Sequence, residues 1–161
     1  MPKTISYEMA YDAPVEKVAA MLADPTFRED VCAYQRVIKA DVSIDVDGET
    51  KQVRIDQVQE TKGVPSFAKK IVGDETNIVQ EESWTSLTHG DVTVTIPGKP
   101  GEMTGTAVLE PTADGGTVET VTLTVKVKIP LVAGKLEGLI GDLLLKALQA
   151  EYKVGRDYLS A

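Results

Sequence analysis

The chain has almost none of the side chains that build metal centres, disulfides and nucleophilic triads. It contains one cysteine, Cys32, and one histidine, His89, among 161 residues. A single cysteine excludes an internal disulfide, and one Cys–His pair falls short of the usual ligand set of zinc. We interpret Cys32 as a small core residue and expect His89, next to Gly90, to lie solvated in a turn. The sequence therefore predicts no metal, no cofactor and no catalytic residue.

Basic residues and long apolar runs are also scarce. Lys and Arg number 17 against 25 Asp and Glu, a formal net charge of −8, which disfavours binding to nucleic acid or to an anionic membrane surface. No apolar run approaches the ~20 residues that span a bilayer, and the N-terminus lacks a hydrophobic signal segment. We therefore expect a single domain over residues 1–161, located in the cytoplasm, with no integral membrane association.

The chain does contain a series of alternating segments. Apolar and polar residues alternate in Lys3–Tyr11 and in about six further segments between Ala40 and Ile129, which predicts half-buried antiparallel strands. Two short helices follow the first strand, one beginning at Pro14 and the next capped by Asp24. Residues 64–70 are interpreted as a short helix or a loop excursion.

The last segment, Pro130–Leu159, is predicted to be one long helix. Its apolar and small residues cover well over half of the circumference, which is more than a single sheet face requires. Close packing against loops or a partner chain would explain this, and so would a cavity wall. Glu137 and Glu151 interrupt the apolar arc, and we expect them at a solvated rim. A second stripe of small and apolar residues would form an interaction surface if it is exposed. It includes Gly134, Gly138, Gly141, Leu145 and Tyr152.

The order of strand, two short helices, about six strands and a long helix resembles the helix-grip fold of the START/Bet v 1-like (SRPBCC) superfamily. The similarity covers essentially the whole chain and is greatest to an uncharacterised bacterial branch of unknown function. The resemblance implies an α+β fold in which a curved antiparallel sheet of about seven strands wraps around the C-terminal helix. The stretches that carry it are residues 11–18, 47–48, 82–84, 96–100, 105–109 and 129–137.

Members of this superfamily commonly enclose an apolar cavity between the sheet and the terminal helix. The resemblance therefore implies binding or transport of a hydrophobic small molecule such as a lipid, a polyketide or a quinone. A polyketide cyclase-like enzyme and a protein-interaction module with a filled core are the alternatives. Because no residue pattern marks a catalytic group, an enzyme is the lesser expectation, and a homodimer stays open.

The predicted cavity wall consists of inward-facing residues from the strands and the last helix. A well-filled core built from the same residues is the alternative. The wall residues are Tyr7, Val53, Ile55, Trp84, Val94, Met103, Gly105, Ala107, Leu123, Leu136, Ile140, Leu143 and Ala147. The polar groups available to a ligand would be Tyr7, Arg54, Glu82, Glu137 and Tyr158.

Carboxylate pairs occur twice on the predicted strands. Glu81 and Glu82 are neighbours and point to opposite faces of a sheet, so they cannot act together. Asp45 and Asp47 share a face, but it is the solvated one. We expect all four carboxylates to be solvated.

Overall fold

The computed structural model describes residues 2–61 and 63–160 and contains, within them, seven strands and four helices. The predicted fold class is confirmed, since a curved antiparallel sheet wraps around a long C-terminal helix and two short helices follow the first strand. The elements in chain order are β1 (Lys3–Tyr11), α1 (Val15–Leu22), α2 (Pro25–Tyr34), β2 (Lys39–Asp47), β3 (Thr50–Glu60), α3 (Ser66–Val72), β4 (Glu75–Trp84), β5 (His89–Thr95), β6 (Glu102–Pro111), β7 (Thr117–Lys126) and α4 (Ala133–Ser160).

The sheet is a meander with one strand added at its far edge. Its order is β1-β7-β6-β5-β4-β3-β2, so consecutive strands pair from β2 to β7, and β1 then pairs with β7. The register aligns apolar rows across the sheet, with Leu123 opposite both Ile5 and Gly105. Alternate residues of β7 are buried, as expected when one face of a sheet covers the core.

The helices begin close to their predicted positions. Asp24 caps α2 by accepting a hydrogen bond from the Thr26 N–H at 2.9 Å, which confirms the prediction, whereas Pro14 precedes α1 as its cap. The last helix begins at Ala133 and not at Pro130. The reason is Leu131, whose φ of 73° lies in the left-handed region and cannot continue a helix.

Helix α4 approaches β1 closely through two glycines. A Cβ on Gly141 would lie 3.3 Å from the side chain of Ile5, and one on Gly155 would lie 2.8 Å from the Tyr11 ring. A larger residue at Gly155 would have to displace the Tyr11 ring or the helix, whereas one at Gly141 would crowd Ile5 by a few tenths of an ångström. Both glycines therefore allow the close contact between helix and sheet.

Tyr152 completes the contact between α4 and β1. Its ring packs edge to face on Tyr7 and Tyr11, with centroids 6.4 and 5.6 Å apart, and its hydroxyl donates to the Ala10 carbonyl at 3.1 Å. The stripe that contains Gly141 and Tyr152 therefore packs on the sheet, and this part of it is not an exposed interaction surface. Among the described residues, no helix has the length and hydropathy that a bilayer crossing requires.

Candidate functional site

A cavity of about 490 Å³ lies between the concave face of the sheet and helices α2, α3 and α4. Its volume falls within the range of about 300–1,000 Å³ that is typical of small-molecule sites. Tyr34 and Leu143 are exposed where the cavity opens. Seven of the predicted wall residues line it, namely Ile55, Val94, Met103, Leu136, Ile140, Leu143 and Ala147.

A smaller chamber of about 50 Å³ adjoins this cavity. The two share a wall that includes Val94, Leu144 and Ala147. Two more predicted residues, Ala107 and Leu123, line the smaller chamber. Strand register places this chamber toward the Trp84 end of β4, away from the mouth, so we call it the inner chamber.

Four predicted wall residues line neither space. Tyr7 packs on Tyr152, while Val53 and Trp84 are buried in the surrounding core. Gly105 faces inward on β6, but a Cβ there would lie 1.7 Å from the Thr122 carbonyl oxygen. The backbone of the neighbouring strand therefore occupies the space that a side chain at this position would need.

A buried ion pair between α2 and β4 lies beside the inner chamber. Both terminal nitrogens of Arg28 donate to the two carboxylate oxygens of Glu82 at 2.8 Å, and their side chains are 3% and 5% exposed. The Arg28 Nε–H donates to the Leu22 carbonyl at 2.9 Å. The expectation that Glu82 is solvated is therefore wrong, although its neighbour Glu81 does point to solvent.

Glu82 accepts two further hydrogen bonds from its own strand. Trp84 Nε1 donates at 2.9 Å and Gln80 Nε2 at 2.6 Å. Burial alone would raise the pKa of Glu82, but the positive charge and hydrogen bonds of Arg28, together with these two donors, outweigh it and hold the pKa below its ordinary value. Glu82 is therefore an ionised group whose acceptor sites are occupied.

Two other carboxyls line the inner chamber, Glu119 from β7 and Glu151 from α4. Glu119 is 2% exposed, and its Oε1 has no hydrogen-bond partner among the described residues. Glu151 lies 3.8 Å from the Arg28 guanidinium and is largely buried, so the expectation of a solvated rim position is wrong. Burial and repulsion between the carboxyls raise the pKa of Glu119 well above its ordinary value.

The pKa of Glu151 is raised to about 7, mainly by burial and with a contribution from Glu82, against the opposing charge of Arg28. Near neutral pH the inner chamber therefore holds one carboxyl that is close to half-ionised, Glu151, beside Glu119, whose raised pKa favours its protonated form. Groups in this state can both donate and accept protons.

Lys51 is a second buried cation near this cluster. Its Nζ lies 4.1 Å from the ring centroid of Trp84, an arrangement in which the aromatic face attracts the ammonium group. Burial, with repulsion from Arg28, lowers the Lys51 pKa to about 8. Three carboxyls and two cationic side chains thus form one buried cluster, which has one carboxyl in excess.

The remaining polar candidates lie away from the cavity. Glu137 is 3% exposed and accepts a hydrogen bond from the Val127 N–H at 2.9 Å, so its predicted place at a solvated rim is wrong. Arg54 is exposed on β3, and Tyr158 donates to Asp24 on the surface. Cys32 is buried, as predicted, and borders the cavity.

Sequence reasoning missed Arg28 and Glu119 as parts of the site. Glu119 shares its face of β7 with Val121 and Leu123, so strict alternation would have placed it inside. Arg28 follows the buried Phe27 and carries no comparable signal. Across residues 2–61 and 63–160, no cluster of acidic, histidine or cysteine side chains is arranged to hold a metal ion.

The sequence is similar to proteins without an assigned activity. A family model described as "Protein of unknown function (DUF2505)" matches residues 6–159. An uncharacterized protein from Mycobacterium tuberculosis (strain ATCC 25618 / H37Rv) is 29% identical over an alignment of 164 residues, gaps included. The alignment covers 95% of this chain and 94% of that protein.

The fold is similar to several solved structures. An aromatase/cyclase from Streptomyces sp. R1128 superposes with a TM-score of 0.67 at 13% identity, covering 98% of this chain and 93% of that one. A START superfamily protein from Mycobacterium smegmatis gives 0.58 at 16% identity, covering 98% and 99%. These likenesses confirm the START/Bet v 1-like resemblance at the level of the fold.

Proposed function

The chain belongs to the DUF2505 family of proteins of unknown function, and we propose that it binds an apolar small molecule between the sheet and α4. A lipid, a polyketide or a quinone has the required character. The proposal depends on one observation, the cavity of about 490 Å³ with its mostly aliphatic wall.

A space of this size is unusual for a filled core. Protein interiors are close-packed and contain few voids larger than a water molecule. The aliphatic side chains that line the cavity, such as Ile140 and Val94, lack packing partners on one side. An apolar ligand would supply those dispersion contacts and remove the exposed apolar surface from water.

A pair of substitutions on α4 tests this function. Ala147 lines both chambers, so Ala147→Leu should occupy ligand space and abolish the binding of an apolar fluorescent probe with little loss of stability. Gln149 is exposed on the same helix, and Gln149→Leu serves as the matched control that leaves probe binding unchanged.

Probe titration and thermal unfolding of both variants are the measurements, and native mass spectrometry of freshly purified protein would detect a co-purified ligand. A wild-type protein that binds neither a co-purified ligand nor the probe would contradict the proposal. So would a large loss of stability in Ala147→Leu, because over-packing of a filled core costs about 1–3 kcal/mol.

A cyclase-like enzyme is the second candidate, favoured by the raised pKa of Glu151. A carboxyl with a pKa of about 7 is suited to general acid–base catalysis at neutral pH, and the Streptomyces aromatase/cyclase has a similar fold. Under this function Glu151 would transfer protons while an enol carbon of a bound polyketone bonds to one of its own carbonyl carbons and the resulting hydroxyl leaves as water. Mass spectrometry of the incubated polyketone should then show a dehydrated product that Glu151→Gln cannot form, whereas an unchanged substrate would count against catalysis.

A further inference from the structure

The inner chamber contains a hydrogen-bond acceptor that the described protein leaves unused. The Oε1 atom of Glu119 is buried and has no hydrogen-bond partner among residues 2–61 and 63–160, and the residue lines the chamber. Leaving a buried acceptor without a hydrogen-bond partner destabilises the protein, because the acceptor has lost its bonds to water. A ligand that reaches the inner chamber with a donor group would remove this cost.

The cluster around Glu119 offers nothing comparable to an anionic group. The guanidinium of Arg28 donates to both oxygens of Glu82 and to the Leu22 carbonyl. Lys51 is held over Trp84 and lines neither space. A carboxylate entering the chamber would lie beside Glu151, which is close to half-ionised near neutral pH, and like charges at close range repel strongly in a buried site. Among the described residues, no cationic side chain lines the inner chamber to offset that repulsion.

We propose that the ligand is an apolar alcohol or amine whose donor group enters first and hydrogen-bonds to Glu119 beside Glu151. This inference rests on the proposed function, because it assumes that an apolar molecule occupies the cavity, and it specifies the polar end of that molecule. The raised pKa of Glu119 supports it, because a protonated carboxyl both donates to and accepts from a hydroxyl group. An amine enters as an ammonium ion at neutral pH, so it would form an ion pair with the ionised form of Glu119, whose proton is released to water.

A second unused polar atom offers the opposite orientation. The buried Oγ1 of Thr76 also lacks a partner in the described chain, and Thr76 lines the large cavity near the start of β4, away from the inner chamber. A hydroxyl donates as well as accepts, so it would serve a carboxylate or an alcohol equally well. Thr76 is therefore the natural control for the preference assigned to Glu119.

Decanol, decylamine and decanoate test the assignment, because they share one chain length and differ only at the polar end. Each is titrated against protein loaded with an apolar fluorescent probe at neutral pH. Decanol and decylamine should displace the probe at concentrations about tenfold lower than decanoate, the ratio that one hydrogen bond to an otherwise unpaired buried group supplies.

Three variants identify the group responsible. Glu119→Leu should lose the preference over decanoate while still binding the probe. Glu119→Gln keeps an acceptor without a negative charge, so it should retain decanol and weaken decylamine. Thr76→Val should leave the preference intact. Thermal unfolding of each variant shows whether it is folded. If Glu119→Leu does not fold, Glu119→Gln still tests the assignment.

The outcomes separate this inference from the proposed function. If decanoate displaces the probe as well as decanol does, or if Thr76→Val and not Glu119→Leu removes the preference, the assignment to Glu119 is overturned while the apolar cavity stands. If none of the three compounds competes with the probe, and the probe itself does not bind, both the inference and the proposed function are overturned.

Discussion

At the residue scale, the positive charge of Arg28 allows carboxyl side chains to be buried in the interior. Its guanidinium neutralises Glu82 through two hydrogen bonds and lies 3.8 Å from Glu151. Burying an unpaired carboxylate is far more costly than burying a paired one. The fixed positive charge of Arg28 therefore helps the protein to hold the other acids of the site in its interior.

Removing Arg28 should be strongly destabilising. We expect Arg28→Met to lower the free energy of unfolding by about 3–5 kcal/mol, because Glu82 then remains buried and uncompensated. The double variant Arg28→Met/Glu82→Leu should recover much of that loss. Urea denaturation of the single and double variants measures both effects.

The exposed pair of Arg54 and Glu81, 3.5 Å apart, supplies the control. Arg54→Met should cost less than about 1 kcal/mol, since surface ion pairs contribute little. If the Arg28 and Arg54 variants lost similar stability, the buried pair would not be the stabilising element described here.

The buried pair of Arg28 and Glu82 also shows what the sequence alone does not predict about single residues. Alternation predicts that Glu82 and Trp84 share a face, and the same rule would place Glu119 beside Val121. The partner that makes burial of Glu82 acceptable is 54 positions away in the chain. A single sequence contains no local signal for that pairing, so the sequence alone predicts that Glu82 is solvated.

At the scale of elements, the glycines of α4 divide into those that touch β1 and those that do not. Gly155 meets the ring of Tyr11, whereas a Cβ on Gly138 would have no atom within 4 Å. The sequence shows where these glycines lie along α4 but not what each of them faces. Only the three-dimensional register of helix and strand shows which glycine serves which purpose.

Two alanine substitutions should therefore have opposite effects. Gly155→Ala should destabilise the protein by about 1–3 kcal/mol, because the added methyl overpacks against Tyr11. Gly138→Ala should stabilise it by up to about 1 kcal/mol, the helix-propensity gain in an uncrowded position. Thermal or urea unfolding distinguishes them, and equal stabilisation by both would show that Gly155 is not in close contact with the strand.

At the scale of the whole molecule, the inner acids should make stability depend on pH. Folding raises the pKa of Glu151 from 4.5 to about 7 and also raises that of Glu119. Arg28 and Lys51 oppose these shifts, and Glu82 reinforces them. The folded protein binds these protons more tightly than the unfolded chain, so the stability that these two acids contribute is fully present below the ordinary carboxyl pKa, and the part due to Glu151 is lost as pH rises through about 7.

We therefore expect the thermal midpoint to fall between about pH 5 and about pH 7.5, with Glu151 contributing at most about 3 kcal/mol to the change. Glu151→Gln should flatten the pH dependence, and Glu81→Gln, at an exposed position, should not. A wild-type midpoint that rises over this interval would contradict the assigned burial of the two acids.

Most of the architecture could be predicted from the sequence, because alternation and the wide apolar arc of one helix are local signals. The strand order from β2 to β7 follows from short connections. Whether the interior contains a cavity could not be predicted. The cavity depends on the distance between α4 and strands such as β6, which contains Met103. That distance is set by contacts such as the one between Gly141 and Ile5.

The pairing of β1 with β7 also has a consequence for how the chain reaches its native state. Thr4 and Thr124, which hydrogen-bond across these strands, are 120 positions apart. During synthesis, β1 is made before the other six described strands and has no partner until β7 has also been made. Contacts between such distant segments close late and slowly. The first of these seven strands is therefore among the last to be paired, and α4, which rests on it, can dock on a complete sheet only after β7 has joined β1.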